Sequence, residues 1–166
     1  MTSRGTVFQP NYKSMAELRY QIRRFLRFSE ETAREAGLEP QQYQLMLALK
    51  GLPDGVRGRM GEIADRLQIQ HHSTVELADR LARRGIIRRR RGTEDRREVL
   101  LELTPKGEKT LRELALRHRE ELRRVGPELV AALKKVMRET EQGERRRPGA
   151  NAAKSAKAGG ATGRKN

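Results

Sequence analysis

A mainly α-helical fold carrying a single two-stranded β-hairpin is what this 166-residue sequence predicts, on three observations. Apolar residues recur at three- and four-residue spacing through most of the chain, as amphipathic helices require. One stretch breaks that spacing. Ile86-Ile87 runs into Arg88-Arg89-Arg90-Arg91-Gly92-Thr93-Glu94-Asp95-Arg96-Arg97, and Glu98–Leu103 resumes an apolar run, so two strands close around a glycine turn with a cationic tip. Finally, the formal net charge is +15 and the isoelectric point about 11.1. So basic a chain calls for a polyanionic partner, nucleic acid first and an anionic membrane surface second.

Taken in order, residues 1–10 read as a flexible arm, and Met1–Pro10 lacks the apolar stretch of a secretion signal. From Asn11 to Ala36 the pattern is helical, with Met15, Leu18, Ile22, Phe25 and Leu26 at helical spacing and Gly37 as the stop. Leu38-Glu39-Pro40 opens a second helix, proline suiting a first turn, with Tyr43, Met46, Leu47 and Leu49 as its stripe. It ends before Pro53-Asp54-Gly55, a turn in which proline presets one dihedral and glycine takes the strained one. Met60–Leu67 is a short helix with Met60, Ile63, Ala64 and Leu67 on one face. After the link Gln68-Ile69-Gln70, a helix from His71 to Arg84 turns Thr74, Leu77, Ala78 and Leu81 inward, and Gly85 ends it. The hairpin follows.

Thr104-Pro105 then caps a helix whose buried stripe is Leu111, Leu114, Ala115 and Leu122. Gly126-Pro127 is expected to break it, leaving a further helix over about Glu128–Glu141 that carries Leu129, Leu133, Val136 and Met137. From Gln142 periodicity is lost. Seven basic residues against one acidic, among alanine, glycine and serine, predict a disordered basic tail over 142–166. That tail reads equally as solubilising disorder or as an electrostatic tether to DNA.

Composition excludes several classes. Without cysteine there is no disulfide framework, thiolate catalysis or thiol redox switch. No apolar run approaches bilayer-spanning length, so a cytoplasmic protein without membrane association is expected. No nucleophile–base pair, phosphate-cradling glycine loop or clustered carboxylates suggest an enzyme. Gly55-Val56-Arg57-Gly58 is a loop with a short strand. His71 and His72 point about 100° apart on a helix, and His118 lies far along the chain, so neither a metal site nor any cofactor is expected.

Two short helices joined by a tight link, then a hairpin, make a winged helix-turn-helix with a two-stranded β wing. A major groove admits one helix, and a buried partner helix holds that reader at a fixed angle. The outward face of the second helix is His72, Ser73, Glu76, Arg80 and Arg83, with Gln70 and His71 at its N-terminal end, where base contacts concentrate. Arginine can bond guanine or phosphate. Glu76 can accept from cytosine and would repel phosphate, which suggests discrimination rather than adhesion. The candidate DNA-binding residues are therefore Gln70, His71, His72, Ser73, Glu76 and Arg80 on the reading helix, and Arg90, Arg91, Asp95, Arg96 and Arg97 on the wing.

The order of these elements, with "DRLARRGII", the wing triplet Asp95-Arg96-Arg97 and "LELTPKG" over Leu101–Gly107, resembles the MarR family of bacterial transcriptional regulators across about Asn11–Glu141. The resemblance implies that Asp95 holds the wing, that Arg97 enters the minor groove and that Arg96 meets phosphate. It implies a homodimer: 11–37 and 105–141 form a helical dimerisation region, and 38–104 is the DNA-binding region that reads a pseudo-palindromic operator in double-stranded DNA. It implies a repressor, and a small aromatic effector in a cleft for which Phe25, Phe28 and Tyr43 are the candidates. Core packing explains the same three aromatics. This sequence departs from the family at Gln68, where glycine is common, and at His71-His72, which replace the more usual serine and proline. A non-specific architectural DNA-binding protein and a protein-interaction adaptor are the alternative readings.

Overall fold

The computed structural model describes residues 11–92 and 98–145. Along them run α1 (Tyr12–Glu35), α2 (Pro40–Lys50), α3 (Met60–Leu67), α4 (His71–Arg83), β1 (Ile87–Arg91), β2 (Val99–Leu103) and α5 (Pro105–Arg145). The fold is mainly helical, a winged helix-turn-helix whose wing is the antiparallel pair β1–β2, in register from Ile87 opposite Leu103 to Arg91 opposite Val99. The chain divides into two compact units. One is 25–124; the other joins the chain up to Arg24 with the chain from Val125 onward.

In the 25–124 unit, α2, α3, α4 and the hairpin close over one aliphatic core. Leu45, Met46, Ile63, Leu81, Ile87 and Leu114 are its fully buried large side chains. Helix α4 contributes the inward set expected from its spacing, Thr74, Leu77, Ala78 and Leu81. Between α3 and α4, Gln68 adopts a left-handed conformation (φ 54°, ψ 41°), the only non-glycine residue with positive φ among those described. Its side-chain amide donates to the Asp65 carbonyl at 2.7 Å. Ahead of α3, Arg57–Arg59 lies along β2: the Leu101 N–H donates to the Gly58 carbonyl at 2.8 Å, and Arg59 forms an isolated antiparallel bridge with Leu100. The short strand expected at 55–58 is thus a single bridge one residue later.

Where the hairpin returns into α5, the Thr104 N–H donates to the Ile86 carbonyl at 3.0 Å, and its hydroxyl donates to the Gly85 carbonyl at 2.7 Å. The same hydroxyl oxygen accepts from the Gly107 N–H at 3.1 Å, capping the new helix. Gly107 is required by space rather than by φ: a Cβ there would stand 2.1 Å from the Ile86 carbonyl oxygen.

Three expectations need correction. Helix α5 is not broken at Gly126-Pro127 but continues through Pro127 to Arg145. Proline forgoes one hydrogen bond, to the Arg123 carbonyl, at about 3 kcal/mol. The flanking leucine, arginine, glutamate and alanine residues are strong helix formers and carry the helix across. Consequently 142–145, assigned to the tail, are helical, while 146–166 and the arm 1–10 lie outside the described residues.

The buried stripes of the two long helices also differ. On α5 the buried positions are Leu111, Leu114, His118, Glu121, Val125 and Ala132, whereas Ala115 and Leu122 are exposed. On α1 they are Ser14, Gln21, Ser29, Thr32 and Ala33, whereas Met15, Ile22 and Leu26 are exposed. Both buried faces keep helical spacing but carry polar residues: Ser14, Ser29, His118 and Glu121 are hydrogen-bonded, whereas the buried Gln21 Oε1 has no partner among the described residues. On α2, Leu47 is likewise exposed. In the unit that joins the chain ends, Glu139 takes the Ser14 hydroxyl and, at 2.8 Å, the Asn11 amide, while Arg24 pairs with Glu128 at 2.7 Å.

Two stability changes follow. Gly107→Ala should destabilise the protein by about 1–3 kcal/mol, because backbone must move to admit the methyl group; a urea melt reads this directly. Gln68→Gly should raise the melting midpoint, since relief of a left-handed side-chain clash of about 1–2 kcal/mol exceeds the one exposed hydrogen bond lost.

Candidate nucleic-acid interface

Gln70 sits at the N-cap of α4 in an extended conformation (φ −66°, ψ 147°), and its side chain makes no capping hydrogen bond to the helix. His71 and His72 form the exposed first turn, Ser73 is half-buried, and Glu76 and Arg80 are exposed further along. The burial of Thr74, Leu77, Ala78 and Leu81 on the opposite side is what turns this polar face outward.

The hairpin adds four arginines. Side chains alternate across a strand, so Arg88 and Arg90 lie on the face of Glu102, and Arg89 on that of Ile87 and Leu101. Arg88 meets the Glu102 carboxylate at 2.8 Å and Arg90 meets it at 3.4 Å. Arg89 reaches Asp79 of α4 at 2.7 Å and so ties the wing to that helix. Arg80 pairs with Glu39 at 3.1 Å. Arg91 is exposed with no ion-pair partner among the described residues. Asp95, Arg96 and Arg97 lie outside the described residues.

At the neck of the wing, the Gly92 N–H donates to the Glu98 carbonyl at 2.9 Å. The Glu98 carboxylate, 10% exposed, receives Arg57 at 3.1 Å and Arg59 on its other oxygen. The Arg59 guanidinium bonded to it, with Arg57 beside it, holds this carboxyl below the usual carboxylate range against the opposing effect of desolvation. Sequence reasoning missed Glu98, Asp79 and Glu102. The cross-strand pairing of Arg88 with Glu102 was open to a register argument; the approach of Arg57 and Arg59 to Glu98 was not, because it depends on tertiary packing.

The three candidate cleft aromatics come together around His118, which the sequence had set aside. Tyr43 stacks on the imidazole at 4.7 Å between ring centroids, and Phe28 and Phe25 meet it edge-on at 5.7 and 6.4 Å. The imidazole Nδ1 donates to the Leu114 carbonyl at 2.7 Å, and Nε2 meets the Ser29 hydroxyl at 2.8 Å. Burial pushes the Tyr43 phenol up. Alongside, a cleft of about 550 Å³ is lined by Phe28, Arg117, Glu120, Glu121, Arg123 and Arg124. Of the three aromatics only Phe28 lines it. Among the described residues no group of histidine, aspartate and glutamate could hold a metal ion, and no helix is long and apolar enough to cross a membrane.

A model of the MarR family matches residues 36–98, from the end of α1 to the neck of the wing. The transcriptional repressor CouR, solved bound to a 23-mer DNA duplex, is 30% identical over 72% of this chain and 87% of its own, with a TM-score of 0.55. This chain belongs to the MarR family. AbsC, a MarR family transcriptional regulator from Streptomyces coelicolor, shares the fold with a TM-score of 0.62 at 22% identity, over 84% of this chain and 99% of AbsC. BpsR of Bordetella bronchiseptica, whose structure concerns regulation of DNA binding by 6-hydroxynicotinic acid, does so with a TM-score of 0.55 at 21% identity, over 75% and 95%. Among curated protein sequences there is no significant match. MarR-family members are DNA-binding transcriptional regulators rather than enzymes, and this one carries the family's winged helix-turn-helix.

Two carboxyls of this MarR-family regulator sit below the usual range, Glu98 through Arg59 and Arg57, and Glu108 through its hydrogen bond to Lys50. A carboxyl depressed by folding stabilises the native state above its unfolded pKa, and that stabilisation is lost as pH falls through the folded value. Urea midpoints of the wild type should therefore decline on acidification below about pH 4. The double variant E98Q/E108Q should show a shallower decline; identical profiles would show that the two pairs are not linked to folding.

Proposed function

We propose that this MarR-family regulator is a homodimeric, sequence-specific DNA-binding repressor that reads a pseudo-palindromic operator with one α4 helix per half-site. The observation that carries the reading is the exposed polar start of α4 beside an arginine-rich hairpin, the two joined by Asp79–Arg89. Gln70, His71, His72 and Ser73 would approach base edges, and Glu76 would select against mismatched bases. Arg80, Arg90 and Arg91 would exchange their present surroundings for phosphate, an exchange that exposed ion pairs worth about 1 kcal/mol or less do not prevent. Arg96 and Arg97 would follow the backbone and the minor groove, with Asp95 holding the wing.

Dimerisation through 11–37 and 105–141 is supported by apolar side chains left uncovered in the single chain, among them Met15, Ile22, Leu133 and Met137. The DNA-binding region would then be 38–104, with the basic sequence 146–166 following α5. CouR, a repressor solved on DNA, supports the repressor reading, and the regulation of BpsR's DNA binding by 6-hydroxynicotinic acid supports a small aromatic effector. Here the cleft beside Phe28, with Arg117, Arg123 and Arg124 on its walls, offers a ring contact and cations for such an effector.

Selection of duplexes from a random pool tests this. The expected product is a two-fold symmetric motif with half-sites about one helical turn apart. It should be preferred over random duplex by roughly 10³ or more. Arg97→Ala should then cost about 1–3 kcal/mol on the selected duplex at fixed salt. Comparable affinity for every duplex would instead indicate an architectural DNA-binding protein, and no duplex binding at low salt a protein-interaction adaptor.

A further inference from the structure

We propose that Glu98 is a positioning residue for DNA reading, a carboxylate that fixes the wing to the body of the reading domain through Arg57 and Arg59. The inference rests on the reading of this chain as a sequence-specific DNA-binding regulator. The five residues 93–97, which include Arg96 and Arg97, begin after Gly92 and end before Glu98. These two flanking residues are joined by the 2.9 Å backbone hydrogen bond. That bond closes the neck of the wing but does not fix its direction. A two-stranded ribbon alone is a weak structure, free to twist and bend about its root. Direction is supplied from outside the ribbon.

Arg57 and Arg59 precede α3 and lie along the far side of β2, where Leu101 is bonded to Gly58 and Arg59 is bridged to Leu100. Gly58 itself is held tightly. A Cβ there would stand 2.6 Å from the Leu101 carbonyl oxygen and 2.7 Å from the Leu49 side chain. The guanidinium groups therefore stand on a segment packed against the core, and Glu98 is where the wing meets them. Its two oxygens are engaged separately, Oε2 by Arg57 and Oε1 by Arg59, and its side chain is 10% exposed while that of Arg59 is 63% exposed. An ion pair on an open surface would leave both partners wet; here the carboxylate is the enclosed member.

A carboxylate at the edge of a DNA-facing surface repels phosphate, and Arg59, held by it, is withheld from phosphate. If Glu98 did nothing else, its removal would improve binding to every duplex alike. A positioning role predicts opposite signs for the two kinds of duplex. Random duplex, bound by charge alone, gains from the lost carboxylate and the released Arg59. A preferred duplex, which needs the wing in one direction, loses.

The experiment compares wild type, E98A and E98Q on a duplex selected by the wild-type chain from a random pool and on a random-sequence duplex of equal length, across a salt series. For E98A, affinity for the random duplex should rise and its salt slope should steepen by up to about one, for the Arg59 cation released. Affinity for the selected duplex should fall on the order of tenfold, within the range that one lost base-pair contact carries. E98Q, which keeps an oxygen acceptor in place, should fall between. Equal gains on both duplexes, or an unchanged preference in both variants, overturn the positioning role while leaving the regulator reading intact. A wild-type chain with no preferred duplex overturns both. Should E98A melt below the assay temperature, E98Q decides by the same signs.

Discussion

One backbone carbonyl, that of Ile86, organises the winged helix-turn-helix of this protein. It lies just past α4, at the root of the wing. It accepts the Thr104 N–H and comes so close to Gly107 that no side chain fits between them. The end of the reading helix, both roots of the hairpin and the first turn of α5 therefore meet within one small volume. Thr104 caps α5 while its hydroxyl donates to the Gly85 carbonyl, and Lys106 reaches the Arg84 carbonyl at 2.9 Å. The first turn of α5 is thereby tied to the end of α4, because a packed junction of backbone groups transmits displacement rather than absorbing it.

Around that junction the excess of positive charge is arranged rather than simply spread. Arg80, Arg88, Arg89 and Arg90 each face a carboxylate, on α4, the wing or the start of α2. Such exposed pairs contribute little to folding. Their effect is geometric, because they hold long side chains in one orientation.

How far the sequence could be read follows from where the relevant chemistry was apolar. Helices α3 and α4 and the hairpin were legible almost to the residue, since their inward faces are Ile63, Ala64, Leu77, Ala78 and Leu81 and their ends are marked by Gly85 and by Thr104-Pro105. The long helices were legible in existence but not in orientation. Ser14, Gln21, Ser29, Thr32, His118 and Glu121 occupy buried positions that a hydrophobic pattern assigns to solvent. Pro127 misled for a related reason: a local rule about proline was outweighed by helix propensity on both sides. At the interface, the reading helix could be placed from its inward face alone. The carboxylate partners of Arg89 and Arg80 could not, being set by tertiary contacts with Asp79 and Glu39, 10 and 41 residues away in sequence.

The pairing of Ser29 with His118 limits how such a chain can diverge. Each polar atom of the pair is buried, and each is the other's partner across helices 89 residues apart in sequence. Losing one member strands the other in a site closed by Phe25, Phe28 and Tyr43, at the desolvation cost of an unmade hydrogen bond, about 1–3 kcal/mol. Losing both for apolar groups of matching shape costs far less. Covariation between these two positions is therefore expected among sequences that keep this architecture, with single exchanges rare and double exchanges tolerated.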